Sequence, residues 1–135
     1  MKKFITSLAL VSLVTLYFQA CKKSVDQQTT IEKIQGKWQL QSDIQNSHYL
    51  GQDNIDTITG KPGDIVDFRT DGKVYTNIGG EKDTSTYALS GDTKMIFDGT
   101  LVFDIITLTA NSFIFYNKET TGASDFTEVT ITLKK

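Results

Sequence analysis

The sequence predicts an all-β fold: an eight-stranded antiparallel up-and-down barrel preceded by a short helical turn. Three observations predict it. Eight short runs rich in β-branched and aromatic residues follow one another between Trp38 and Leu133, punctuated by turn residues. Almost every connection is short, so neighbours in sequence pair as antiparallel neighbours in space. Beyond Gly36 no window carries apolar residues at helical spacing over three turns. A meander of this kind removes its two exposed edges by closing on itself.

In chain order, Met1-Lys2-Lys3 is a short basic start, Phe4 to Phe18 carries no charge, and the small Ala20 stands immediately before Cys21. That is the layout of a secretory signal over residues 1–20. Its apolar stretch is shorter than the roughly 20 residues a membrane-spanning helix needs. Its removal leaves a mature chain of 115 residues, one domain's worth. Residues 21–30 are polar without an apolar repeat and read as a tether, and the barrel domain occupies 31–135. Thr30 to Gln35 makes one helical turn, with Thr30 as cap, Lys33 where a capping box would place Glu or Gln, and Gly36 as stop.

The strands are Trp38–Ile44, Ile65–Arg69, Lys73–Ile78, Thr84–Leu89, Lys94–Phe97, Leu101–Thr109, Phe113–Lys118 and Phe126–Leu133. Asp71-Gly72 between the second and third is a strong hairpin signal. The one long connection, Asn46 to Asp64, holds the single Pro, Pro62, outside every strand. Period-two alternation sorts the faces. Val129, Ile131 and Leu133 oppose Glu128, Thr130, Thr132 and Lys134, and Val66 and Phe68 oppose Asp67 and Arg69. Trp38, Leu40 and Ile44 oppose Lys37, Gln39, Gln41 and Asp43. Leu101–Leu108 has apolar residues on both faces, Phe103 and Ile105 on one and Ile106 and Leu108 on the other, which implies cover on both sides.

Composition excludes several functions. Removing Lys2 and Lys3 from the 14 basic residues leaves 12 against 16 acidic ones, so no basic face is available for a nucleic acid. One Cys excludes a disulfide framework. The single His, His48, lies in the long polar connection and reads as surface. No His/Cys pair has zinc spacing, and Asp53, Asp56 and Asp64 lack the calcium-loop pattern. Asp67 and Arg69 read as a same-face ion pair. Gly79-Gly80 reads as a turn, and no Gly-rich phosphate loop opens a helix. No catalytic, cofactor or metal residue is assigned.

Phe18-Gln19-Ala20-Cys21 resembles the lipobox of bacterial lipoprotein precursors. The resemblance implies that Cys21 receives a diacylglyceryl thioether and that cleavage exposes its amine for acylation. Several acyl chains on one residue anchor far more firmly than one. Lys22 in place of Asp after the cysteine resembles an outer-membrane address, and the absence of an acidic cluster after it favours the periplasmic face.

Gly36-Lys37-Trp38, opening the first strand after a helical turn, resembles the Gly-x-Trp signature of lipocalins. Phe68-Arg69-Thr70-Asp71-Gly72 and Leu108-Thr109 before Phe113-Ile114-Phe115-Tyr116 add to it. From Ile31 to Leu133 the chain looks like the lipocalin-like domain of small bacterial outer-membrane lipoproteins. Gly36 lets the chain turn sharply, and Trp38 plugs the closed end with a large apolar body. Larger lipocalins also carry a late Arg over that Trp, whereas the one Arg here is Arg69.

The resulting expectation is a lipid-anchored envelope protein that binds a small apolar ligand without catalysis. Its contacts would come from Phe68, Tyr87, Phe97, Phe103 and Phe115, at the end of the barrel away from Trp38. Tyr49 and Leu50 in the long connection would serve as a partial lid. The alternative is a solid barrel whose loops contact an envelope protein partner. A connected apolar cavity above roughly 300 Å³ separates the two, because small-molecule sites start near that size.

Overall fold

The structure, a computed structural model, describes residues 29–135. The secretory signal, Cys21 and most of the tether lie outside the described residues. The chain opens with a single helical turn, α1 (Thr30–Ile34). Its cap is Thr29, one residue earlier than the sequence reading placed it. The Thr29 hydroxyl accepts from the Glu32 N–H, and the Glu32 carboxylate accepts from the Thr29 N–H at 2.9 Å. The capping box is therefore complete, with Glu32 rather than Lys33 at the third position.

Nine strands follow: β1 (Gly36–Tyr49), β2 (Gln52–Thr59), β3 (Ile65–Phe68), β4 (Lys73–Ile78), β5 (Glu81–Ser90), β6 (Lys94–Phe97), β7 (Leu101–Leu108), β8 (Ser112–Thr120) and β9 (Phe126–Lys134). Every pairing is antiparallel, and β1 pairs with β9 to close a ring of eight, β1-β3-β4-β5-β6-β7-β8-β9. The predicted barrel is thus the observed one.

The long connection is not a loop. Most of it is the second arm of a hairpin in which β2 pairs with the outer half of β1, from Ser42↔Thr59 to Tyr49↔Gln52. The inner half of β1 pairs with β3 on the same edge. The second strand of the barrel is therefore split into β2 and β3 by residues 60–64. The Gly60 N–H donates to the Gln41 carbonyl and the Leu40 N–H to the Asp64 carbonyl, both at 2.9 Å, so β1 loses little of its ladder at the break. Asp64 secures the break from within. Its buried carboxylate accepts from the backbone N–H groups of Lys61 and Gly79, at 2.7 and 2.8 Å. Those donors hold its pKa below the ordinary carboxylate value, Lys61 contributing most.

Two bulges correct the faces read from alternation. Between Leu40 and Ser42 the register of β1 against β9 slips by one. Trp38 and Leu40 stay inside, but Ile44 turns outward, 38% exposed, and Asp43 turns inward. Between Ile105 and Thr107 the same slip occurs in β7 against β8. Ile106 is left outside, 59% exposed, and Leu108 returns to the core opposite Phe113. β7 is therefore covered on one face, not two.

One end of the barrel is sealed. Ile34, Trp38, Leu40, Met95, Phe113 and Leu133 are completely or almost completely buried there. The Trp38 indole N–H donates to the Ile34 carbonyl at 2.7 Å, and its ring lies 5.6 Å from that of Phe113. The cation over Trp38 is Lys135, with Nζ 4.2 Å from the ring centroid. The same ammonium donates to the Lys33 and Gln35 carbonyls, so the end of the chain also caps α1.

Candidate functional site

The opposite end is open. Strand alternation brings there the β4–β5 turn at Gly79-Gly80, the β6–β7 turn at Asp98–Thr100 and the β8–β9 connection at Thr121–Asp125. Inside it lies a cavity of about 240 Å³, open on one side. Sequence reading named five aromatic residues for this interior. Phe68, Phe97, Phe103 and Phe115 line the cavity. Their rings pack edge-on or tilted: Phe97 and Phe103 at 5.5 Å and 88°, Phe103 and Phe115 at 5.3 Å and 80°.

Tyr87 does not line the cavity. Its ring packs edge-on against Phe68 at 5.1 Å, and its hydroxyl donates to the Arg69 carbonyl at 2.7 Å, which ties β5 to the β3–β4 turn. Burial raises its pKa. Leu40, Val66, Val74, Ile78, Leu101 and Ile131 complete the apolar wall, and Thr76, Ser85, Asp43 and Asp98 add polar atoms. Asp43, Thr76 and Ser85 escaped sequence reading. Nothing in the alternation marks Asp43 as an interior residue, because the bulge that turns it inward has no sequence signature of its own.

The two carboxylates differ. Asp98 Oδ1 accepts from the Thr86 N–H at 2.8 Å and from the Thr86 hydroxyl, and these bonds hold its pKa below the ordinary value. Asp43 is raised instead, first by burial and then by the charge of Asp56 on the same face of β2.

Tyr49 and Leu50 form the tip of the β1–β2 hairpin, and neither lines the cavity. The Leu50 N–H donates to Asp125 at 3.2 Å, which ties the tip to the β8–β9 connection. His48 lies on β1, not in a loop. Its Nδ1 is 2.7 Å from Asp53 on β2, and its ring stacks on Phe126 of β9 at 5.0 Å. Lys118 sits 3.8 Å over Phe126 and bonds Glu128, which also accepts from the Tyr116 hydroxyl. This outer ladder stitches β2, β1, β9 and β8 into one sheet.

Two larger concavities adjoin the cavity on the β3–β5 side. One, about 560 Å³, occupies the gap between the end of β2 and the β4–β5 hairpin, and the other, about 760 Å³, runs along β3 to β5. Both mix charges of both signs and lack an aromatic enclosure. Asp67 and Arg69 pair at 3.1 Å in the second, with Arg69 4.0 Å over the Tyr75 ring. Among the described residues no group of three His, Cys, Asp or Glu side chains is placed to hold a metal ion. Comparison of the chain with protein-family models, curated proteins and solved structures finds no match.

Proposed function

We propose that this chain is a lipid-anchored, lipocalin-like protein of the outer membrane, facing the periplasm, that binds a small, mostly apolar ligand without catalysis. The observation that carries this reading is the phenylalanine-lined cavity opening away from Trp38. Its 240 Å³ falls short of the roughly 300 Å³ near which small-molecule sites start, so volume by itself favours the solid barrel; what supports binding is the aromatic lining, and the ligand that lining admits is a very small one. The lipid anchor rests on the sequence around Cys21. The described chain starts at the sealed end, beside Trp38, so the tether from Cys21 joins the barrel at the end opposite the cavity mouth.

A second reading, a scaffold that contacts a protein partner, is favoured by one observation. All eight residues of β2 are exposed and, among the described residues, its outer edge has no paired strand, which is the geometry that accepts an added strand. Native mass spectrometry of non-lipidated protein from its own periplasm separates the two. A small-molecule adduct is expected. A clean apo mass, together with co-purification of a stoichiometric protein, would favour the scaffold instead.

A further inference from the structure

The inference here rests on the ligand-binding reading and names the class of ligand. Among the described residues the ionisable ones in the cavity wall are Asp43 and Asp98, and neither Lys nor Arg lines it. Asp98 is satisfied by Thr86. Asp43 makes no ion pair and accepts no hydrogen bond from any described residue; the residue opposite it on β2 is Ile58, and the charge nearest it on that strand is the diagonal Asp56, another carboxylate. Its raised pKa reports the same situation: a carboxylate drawn from water with no counter-charge. Such a group is costly in apolar surroundings until a cation or donor reaches it.

The cavity volume matches about eight waters at roughly 30 Å³ each, room for one ring or a short alkyl chain. We propose that the cavity binds a small lipophilic amine, with its apolar body among Phe68, Phe97, Phe103 and Phe115 and its ammonium at Asp43. A carboxylate ligand such as a short fatty acid meets two like charges at the same rim and is disfavoured.

Three ligands of one shape test this: 2-phenylethylamine, 2-phenylethanol and phenylacetate, titrated into the full chain at pH 7 and followed by NMR shifts of the cavity residues. The amine should bind about tenfold tighter than the alcohol, the effect of one charge-assisted hydrogen bond, and phenylacetate weakest. The shifts should centre on Phe103, Phe115 and Ile131 and spare Trp38. Asp43→Asn removes the charge without removing the shape, and should reduce the preference for the amine to under about threefold while the alcohol still binds. If the alcohol or the acid binds as well as the amine, or if Asp43→Asn keeps the preference, the amine assignment is wrong and the pocket stands. If none of the three shifts the cavity resonances, the ligand-binding reading falls with it.

Discussion

Trp38 and Asp43 share the interior of one strand and meet opposite fates. The Trp38 ring is 1% exposed, its one donor is satisfied by Ile34, and Lys135 covers its face. Trp38→Ala removes all three contacts and should cost about 3–5 kcal/mol, a large share of the stability of a small domain. A thermal melt within a degree or two of the parent would contradict the packing described. Asp43 works against stability at neutral pH. Its folded pKa lies above the ordinary 3.8, so the folded state binds more protons than the unfolded state in the window above that value. Stability contributed by this residue therefore falls as pH rises through that window. Asp43→Asn should raise the melting temperature at pH 7, and the gain should shrink as pH falls towards 3.8. A gain of equal size at both ends of the range would show that charge burial is not its cause. Because this variant is expected to fold at least as well as the parent, its loss of ligand preference cannot be mistaken for unfolding.

At the scale of elements, the second strand is held at its break by close backbone approach. A Cβ built on Gly60 would lie 1.9 Å from the Leu40 carbonyl oxygen and 2.5 Å from its carbon. Both belong to backbone, so neither can swing away, and β2 must separate from β1 at the bulge. Gly60→Ala should destabilise by about 1–3 kcal/mol in chemical denaturation, the usual cost of overpacking. Hydrogen exchange should rise first at β2 amides, which have a single neighbouring strand among the described residues. An unchanged denaturation midpoint would mean that the two backbones do not meet there. β2 itself was hidden from sequence reading by its turn. Leu50 and Gly51 both have positive φ, 51° and 76°, as a two-residue hairpin requires. The usual marker of that turn is Asn-Gly or Asp-Gly, and a bulky Leu in the left-handed region is unusual. The same logic explains the misassigned faces of β1 and β7. Alternation predicts faces only while the register holds, and each bulge inverts every residue beyond it.

For the whole molecule, the polarity of the barrel links the proposed anchor to the proposed site. The helical turn, Trp38 and Lys135 gather at one end, and the cavity opens at the other. If the tether carries lipid, the intact mass of membrane-extracted protein should show loss of residues 1–20 and a gain of acyl mass at Cys21. Cys21→Ser should abolish that gain and release the protein from the membrane or stall its precursor. An unmodified mature form beginning elsewhere would refute the anchor.

The sequence by itself determined the class of fold, the order of the ring and the sealed end. Those follow from local information: β-branched runs, short turns and a Gly-x-Trp after a capped helical turn. It also picked out Phe68, Phe97, Phe103 and Phe115, because their strands keep register up to those positions. Only the tertiary structure decided where register breaks. It paired residues 52–59 with β1, drew Tyr87 towards the Arg69 carbonyl and turned Asp43 into the cavity. The reason is physical. A strand's faces are set by its own period, but a bulge is set by the partner strand and by the shear that closing a barrel demands.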